Sequence, residues 1–133
     1  MSGDRALVIP KTLLDEMLAH VRSDRSQEMC GLLAGENNRV ARVLPVPNVR
    51  HDPYAYRMDG QEFVDALVAC DWEPLGVYHS HLNGPPTPSA TDVAEATLPD
   101  SVYVIISFHV EPPTVRVFRI VEQAITEVEL KIE

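Results

Sequence analysis

The stretch of sequence that decides the fold is PLGVYHSHLNGPPTPSATD, residues 74–92. Its first part, Pro74–His81, predicts a β-strand, because side chains alternate across a strand and apolar residues alternate along this one. Four side chains then share one face: Leu75, Val77, His79 and His81. The loop Leu82–Pro88, with one glycine and three prolines, reverses the chain before a short helix predicted over Ser89–Thr97. Strand, loop and helix follow one another, as in an α/β protein.

Outward from this stretch, the chain continues to interleave helix and strand patterns. Apolar residues recur at helical spacing over Pro10–Asp24, and Pro10 suits the start of a helix. Asp59 is a candidate N-cap for a second helix, with Glu62 as its capping-box partner. The other apolar runs predict strands at Ala6–Ile9, Cys30–Ala34, Arg39–Val46 and Val102–Phe108, and a terminal hairpin of Val115–Val121 with Ala124–Ile132. Together they predict an α/β fold, a single domain over residues 1–133 with one mixed β-sheet flanked by helices.

Periodicity gives three finer expectations. The helix after Asp59 should bury one apolar face, made of Phe63, Val64, Leu67 and Val68. In the terminal hairpin, alternate residues should face the core: Val128, Leu130 and Ile132. The alternation slips at Val117-Phe118, which predicts a β-bulge at that point.

Composition narrows the function classes. The net charge of -9 disfavours nucleic acid and anionic membranes as partners, because an acidic chain repels phosphate groups. No apolar run approaches the ~20 residues that cross a bilayer, and the N-terminus resembles no signal peptide, so we expect a cytoplasmic protein. Cys30 and Cys70 form no C-x-x-C pair and sit in apolar runs. They are interpreted as two reduced, buried thiols, with a disulfide or a reactive thiol as the alternatives.

Residues 79–92 also carry a candidate metal site. His79 and His81 point the same way from the strand, and Asp92 returns to the strand end with the next helix. Two histidines and a carboxylate form the three-ligand, open set typical of catalytic zinc. Each part has a plainer interpretation, since His-x-His is common on surfaces and Ser89-x-x-Asp92 is a helix capping box. The two interpretations compete for the same carboxylate of Asp92.

The motif His79-Ser80-His81, seven residues, Ser89, two residues, Asp92 resembles the JAMM motif of the MPN+ zinc metallopeptidases. That family also has a glutamate ahead of an early apolar strand, and Gln27–Gly35 is similar to it, with Glu28 in that place. The resemblance extends over nearly the whole chain and implies the MPN fold, of cytidine-deaminase-like architecture. It implies that three residues bind Zn²⁺: His79, His81 and Asp92.

Further roles follow only from this resemblance. Glu28 would act as general base and then protonate the leaving amine, and Ser89 would donate to the developing oxyanion. Ser80, which faces away from the histidines, would be structural. The remaining histidines have no ligand partners at useful spacing and are interpreted as surface or core residues: His20, His51 and His109.

The chain most resembles small stand-alone prokaryotic members of the family, and it lacks the insertions of relatives that cleave ubiquitin chains. The implied substrate is a ubiquitin-like or sulfur-carrier protein, cut after its C-terminal Gly-Gly, with cysteine or a protein lysine as the leaving group. A non-catalytic MPN scaffold is the alternative, which the intact ligand set disfavours. A nucleotide deaminase would need a pair of cysteines spaced as C-x-x-C, which this sequence lacks. The oligomeric state stays open.

Overall fold

The computed structural model describes residues 5–133, and within them one mixed sheet of eight strands is flanked by three helices. The elements are β1 (Leu7–Ile9), α1 (Lys11–Arg22), β2 (Cys30–Glu36), β3 (Arg39–Val46), α2 (Gly60–Ala69), β4 (Glu73–His81), α3 (Ala90–Ala94), β5 (Val102–Ser107), β6 (Thr114–Val121), β7 (Ala124–Val128) and β8 (Leu130–Ile132). The strand order is β7-β6-β5-β4-β2-β3-β1-β8. The predicted α/β fold with a mixed sheet is confirmed. The single domain over residues 1–133 stays a prediction.

The two end strands of this order, β7 and β8, are separated in the chain by Glu129 alone. The sheet therefore curls until its two ends approach each other. Leu7 donates its backbone N–H to the Glu129 carbonyl at 2.9 Å, and β8 then runs parallel to β1. The predicted continuous strand Ala124–Ile132 is wrong for this reason, and Ile132, expected to face the core, is 53 % exposed.

Helix α1 covers one face of the sheet. It begins after Pro10, whose carbonyl accepts from Leu13 and Leu14, and it buries three side chains: Leu14, Met17 and Val21. They pack against the sheet in a cluster that includes Leu33, Tyr78, Val104 and Ile106. Burial of this apolar surface is the main stabilising contribution from this side of the sheet.

Helices α2 and α3 cover the opposite face. Asp59 caps α2 by accepting from the Glu62 N–H at 2.9 Å, as predicted. The predicted apolar face of α2 is partly wrong, because Phe63, Ala66 and Leu67 pack on the sheet while Val64 and Val68 are 50 % and 81 % exposed. A helix advances about 100° per residue, so residues 63, 66 and 67 share one face from which 64 and 68 are displaced.

Bulges occur at different places from the predicted one. Strands β5, β6 and β7 pair in continuous register through Val117 and Phe118, so the bulge predicted there is wrong. Both residues are buried because both faces of β6 are covered. Instead, the register between β2 and β4 skips Leu75, which consequently packs with the α1 cluster while Val77 packs with the α2 cluster. Leu75 and Val77 therefore pack on different faces of the sheet, and the prediction that they share a face is wrong.

Two further predictions concern cysteines and membranes. Cys30 and Cys70 are both free, but only Cys30 is buried, so the prediction of two buried thiols is correct for one of them. No helix within residues 5–133 is long and apolar enough to span a bilayer.

Candidate metal centre

Four side chains from three parts of the chain meet at the end of β4. His79 and His81 lie on the last residues of β4, between β2 and β5. Asp92 comes from the first turn of α3, and Glu28 lies two residues before β2. One donor atom from each residue lies within 4.8 Å of the others. The structure thus brings together the three predicted metal ligands and the predicted acid/base.

Three atoms that can each bind a metal ion converge at one point. The Nε2 atoms of His79 and His81 are 3.1 Å apart, and they lie 3.2 and 3.0 Å from Asp92 Oδ2. His81 Nδ1 is 2.8 Å from the Pro85 carbonyl, to which it must donate, so Nε2 of the neutral ring presents a lone pair. Donors around a tetrahedral zinc lie roughly 3.3 Å apart for bonds of about 2.0–2.1 Å. The donor set therefore fits Zn²⁺, whose charge would offset the mutual repulsion of these atoms.

Asp92 serves the cap and the cluster at once. Its Oδ2 accepts from the Ser89 N–H at 2.9 Å while facing both histidines, and its own N–H donates to Ser89 Oγ at 3.0 Å. The capping box is complete, yet it holds the carboxylate where the histidine nitrogens meet. The two interpretations of Asp92 are therefore compatible, because the cap orients the ligand.

The charges of this cluster are strongly coupled. Burial opposes ionisation of Asp92, but hydrogen bonds from the two histidines outweigh burial and hold its pKa well below the usual range. Burial lowers the pKa of His79. Burial also opposes protonation of His81, but hydrogen bonds to Asp92 and Pro85 outweigh it and raise the pKa. Asp92 is thus a carboxylate throughout the neutral range, as a metal ligand must be.

Glu28 is 3 % exposed, and its Oε1 has no hydrogen-bond partner among the described residues. Burial raises the pKa of this carboxyl to about 8. Backbone contacts on both sides fix its position: its N–H donates to the Asp52 carbonyl, and its carbonyl accepts from Asn48 Nδ2, both at 2.9 Å. A buried carboxyl with a pKa near neutrality is suited to accept and release a proton.

Ser80 supports Glu28 from the other side of the strand. Its Oγ accepts from the Met29 N–H at 2.9 Å, and its own N–H donates to the Met29 carbonyl at 3.0 Å. Ser80 is fully buried, and it contacts the residue next to Glu28 rather than the cluster. The predicted structural role of Ser80 agrees with these contacts.

Sequence reasoning missed two residues of the loop Asn48–Met58. The Tyr56 ring stacks on the His79 imidazole, with centroids 4.5 Å apart and planes 26° from parallel. Asn48 is 5 % exposed, and its amide bonds to four backbone groups of Glu28, Arg50, Ala55 and Arg57. The polar, irregular composition of this loop gave no signal for the stack on His79 or for the bond from Asn48 to Glu28, because both join segments that are distant in the chain.

The other three histidines lie outside the cluster. His20 Nδ1 is 2.7 Å from the Tyr78 hydroxyl, and His109 Nε2 is 3.2 Å from Thr114 Oγ1. His51 is exposed and has left-handed backbone, with φ of 49°. None of them belongs to the four-residue group found in residues 5–133.

Two clefts flank the cluster. One, of about 420 Å³, is lined by Asp92 together with Tyr56, Arg57 and Met58. The other, of about 280 Å³, is lined by Glu28, His81 and Ser89, and by residues of the loop 82–88. Residues of the cluster line both clefts, since Asp92 lines the first while Glu28 and His81 line the second.

Comparison with known proteins identifies the family. Residues 10–121 match the family of prokaryotic homologs of the JAB domain. The chain belongs to this family. It is 40 % identical over 128 residues to the CysO-cysteine peptidase of Mycobacterium tuberculosis, covering 91 % of this chain and 87 % of that protein. It is also 40 % identical over 103 residues to a desampylase of Haloferax volcanii, covering 70 % and 74 % of the two chains.

A solved structure confirms the predicted MPN architecture. The JAB1/MPN domain protein of Archaeoglobus fulgidus superposes with a TM-score of 0.65, covering 96 % of this chain and 97 % of that one. The two sequences are 19 % identical, so this likeness concerns the fold alone. Membership of the JAB family and the MPN fold, both expected from the motif, are thus established.

Proposed function

We propose that this chain is a zinc metallopeptidase that hydrolyses the amide bond after the C-terminal Gly-Gly of a ubiquitin-like or sulfur-carrier protein. The observation that carries the proposal is the convergence of Glu28, His79, His81 and Asp92 within 4.8 Å, between two open clefts. Binding alone would not need a buried carboxyl beside three metal-type donors. The peptidase and desampylase names of the relatives support the same reaction class.

In this proposal His79 and His81 bind Zn²⁺ through Nε2, and Asp92 binds it through Oδ2. When bound, zinc polarises a carbonyl group and lowers the pKa of water to about 7. The tautomer of His81 is already fixed in the neutral ring, because its Nδ1 donates to the Pro85 carbonyl and its Nε2 then presents a lone pair to the metal. The helix cap holds the Asp92 carboxylate in place, so neither His81 nor Asp92 needs to reorganise when zinc binds.

Glu28 is the proposed acid/base. Its carboxylate removes a proton from the attacking water, and the same carboxyl then delivers that proton to the leaving amine. In the zinc-free chain burial raises the pKa of this carboxyl to about 8, so the buried side chain can hold a proton near neutral pH. Since Glu28 lines the 280 Å³ cleft, the leaving group occupies that cleft and the acyl tail lies in the other.

Ser89 is the proposed oxyanion donor. Its Oγ accepts a hydrogen bond from the Asp92 N–H, so its hydroxyl hydrogen remains available for a second group. Ser89 lines the same cleft as Glu28 and His81. Donation to the oxygen on which negative charge develops would lower the barrier to hydrolysis.

The burial of Glu28, His79 and His81 favours a diglycine tail, because glycine has no side chain to clash where the substrate backbone approaches the donor atoms. For the leaving group, similarity to the CysO-cysteine peptidase supports cysteine over a protein lysine. We further infer a cytoplasmic location, which the two free thiols of the described residues support. The net charge of -9 supports a protein substrate rather than nucleic acid.

The test uses a ubiquitin-fold carrier ending in Gly-Gly and joined by an amide to cysteine. Two matched substrates are compared with it. In one, a lysine isopeptide replaces the amide to cysteine; in the other, the carrier ends in Gly-Ala instead of Gly-Gly. Zinc-loaded protein should release the carrier from the cysteine adduct and should cut the Gly-Ala substrate at least about tenfold more slowly. Intact-mass spectrometry measures the release of the carrier over time. Folded, zinc-loaded protein that cuts neither Gly-Gly adduct would refute the proposal.

A further inference from the structure

The two histidines of the cluster are supported in different ways. His81 donates from Nδ1 to the Pro85 carbonyl at 2.8 Å, which fixes both its tautomer and its ring orientation. The corresponding atom of His79, Nδ1, is buried and has no hydrogen-bond partner among the described residues. Metal-binding histidines are usually oriented by such a bond from the second nitrogen. A different contact must therefore hold the His79 ring.

That contact is the face of Tyr56. The two rings are 4.5 Å apart at their centroids and 26° from parallel, so rotation of the imidazole about its Cβ–Cγ bond would collide with the phenol ring. His79 is 1 % exposed and Tyr56 is half-buried between His79 and the 420 Å³ cleft. The stacked ring thus restricts His79 from the side that faces the cleft.

Asn48 in turn holds Tyr56 in place. Its Nδ2 donates to the Ala55 carbonyl at 3.2 Å, and its Oδ1 accepts from the Arg57 N–H at 2.9 Å. These are the residues on either side of Tyr56. The same Nδ2 donates to the Glu28 carbonyl, so one buried amide links the flanks of Tyr56 to the segment that carries Glu28, just before β2.

We propose that Tyr56 is a positioning residue that orients His79 for zinc by ring stacking, in the role that the Pro85 carbonyl has for His81. This inference rests on the proposed zinc site. The proposed role belongs to the ring of Tyr56 and not to its hydroxyl group.

The test is zinc affinity, measured by competition with a chromophoric chelator and without any substrate. Tyr56→Leu and Tyr56→Met remove the ring and should each weaken zinc binding about tenfold, at the low end of the effects seen for residues that orient metal ligands. Tyr56→Phe keeps the ring and should stay within about threefold of wild type. Tyr54→Leu is the matched control: Tyr54 lies on the same loop, is 79 % exposed and does not stack on His79.

A second measurement separates orientation from folding. Zinc-free variants are first checked by thermal unfolding, and the visible spectrum of the Co²⁺-loaded protein then reports the geometry at the metal. Tyr56→Leu or Tyr56→Met should alter that spectrum, and Tyr56→Phe should not. Wild-type affinity in both ring-less variants, or an equal loss in Tyr56→Phe, would overturn the inference. Wild type that binds no zinc would instead refute the proposed function.

Discussion

Two regions of the candidate site are built in different ways. The ligand region, residues 79–92, brings three donor atoms together from positions at most 13 residues apart, through one strand end, one loop and one helix cap. The acid/base region around Glu28 is assembled from distant segments. Asn48, 20 residues away, and Ser80, 51 residues from its partner Met29, both fix the backbone beside Glu28.

The difference indicates that metal binding and proton transfer are separable properties. Loss of a ligand side chain, His79, His81 or Asp92, should remove the metal, whereas a change in the supports of Glu28 should leave the ligands in place and impair proton transfer. Asn48 is the exception to a clean separation, because it contacts both Glu28 and the flanks of Tyr56.

The largest effect is expected for His79→Ala and Asp92→Ala. Each should lower zinc content from about one per chain to near zero, because an open site of three protein ligands cannot lose one and keep its metal. Elemental analysis after gel filtration measures it. His109→Ala is the matched control, since His109 is exposed and bonds to Thr114 rather than to the cluster. Full zinc content in either ligand variant would contradict the assignment of the site.

A pH effect is expected in the zinc-free protein. The pKa of Glu28 is about 8 in the folded chain against an ordinary value of 4.5, so its contribution to stability is complete below pH 4.5 and is lost as the pH rises through 8. Zinc-free wild type should lose up to roughly 5 kcal/mol relative to Glu28→Gln over this range, at about 1.4 kcal/mol per pKa unit.

Denaturant unfolding of both proteins at several pH values measures this difference. The comparison with Glu28→Gln removes the contributions of Asp92 and the histidines, which are common to both chains. A constant difference between pH 5 and 8 would mean that Glu28 ionises as an exposed carboxyl does.

A smaller effect is expected for Asn48→Asp. The carboxylate cannot donate to the Glu28 and Ala55 carbonyls, so two buried acceptors lose their partner, at a cost of roughly 2–3 kcal/mol. Thermal unfolding should show this loss, and kcat at saturating zinc should fall about tenfold because Glu28 is no longer fixed. Unchanged kcat in a destabilised variant would make Asn48 structural only.

The smallest effect is expected for Ser80→Ala. The Met29 N–H loses its acceptor, which should lower stability by about 1–2 kcal/mol. Although Ser80 lies between the two ligand histidines, zinc content should stay at the wild-type level, because its side chain contacts Met29, next to Glu28, rather than the ligands. Parallel zinc and unfolding measurements on one preparation check both statements. Loss of zinc in this variant would contradict the separation of the two regions.

Much of the fold could be predicted because its signals are local. The spacing of apolar residues located α1, alternation located β4, and apolar runs located β3 and β5. What could not be predicted depends on contacts between distant segments. The turn of the chain at Glu129 from β7 to β8 is set by pairing with β1, and the burial of Phe118 is set by what covers the far face of β6.

The same division applies to the site. His79, His81 and Asp92 are close in sequence and carry metal-binding groups, so residue chemistry alone made them candidates. Glu28 is one of 20 acidic residues, and only resemblance to a family motif selected it. Asn48 and Tyr56 lie in an irregular loop whose composition resembles any surface loop. Their importance comes from an amide bonded to four backbone groups and a ring stacked on His79.

The central claim is that one region holds the metal and the other transfers the proton. Its most direct test is zinc content and turnover of a Gly-Gly–cysteine adduct, measured on the same preparation of Glu28→Gln beside wild type. The claim predicts about one zinc per chain in both proteins and a fall in turnover of roughly 10²–10⁴-fold in the variant. Wild-type turnover in Glu28→Gln, or loss of its zinc, would contradict the claim.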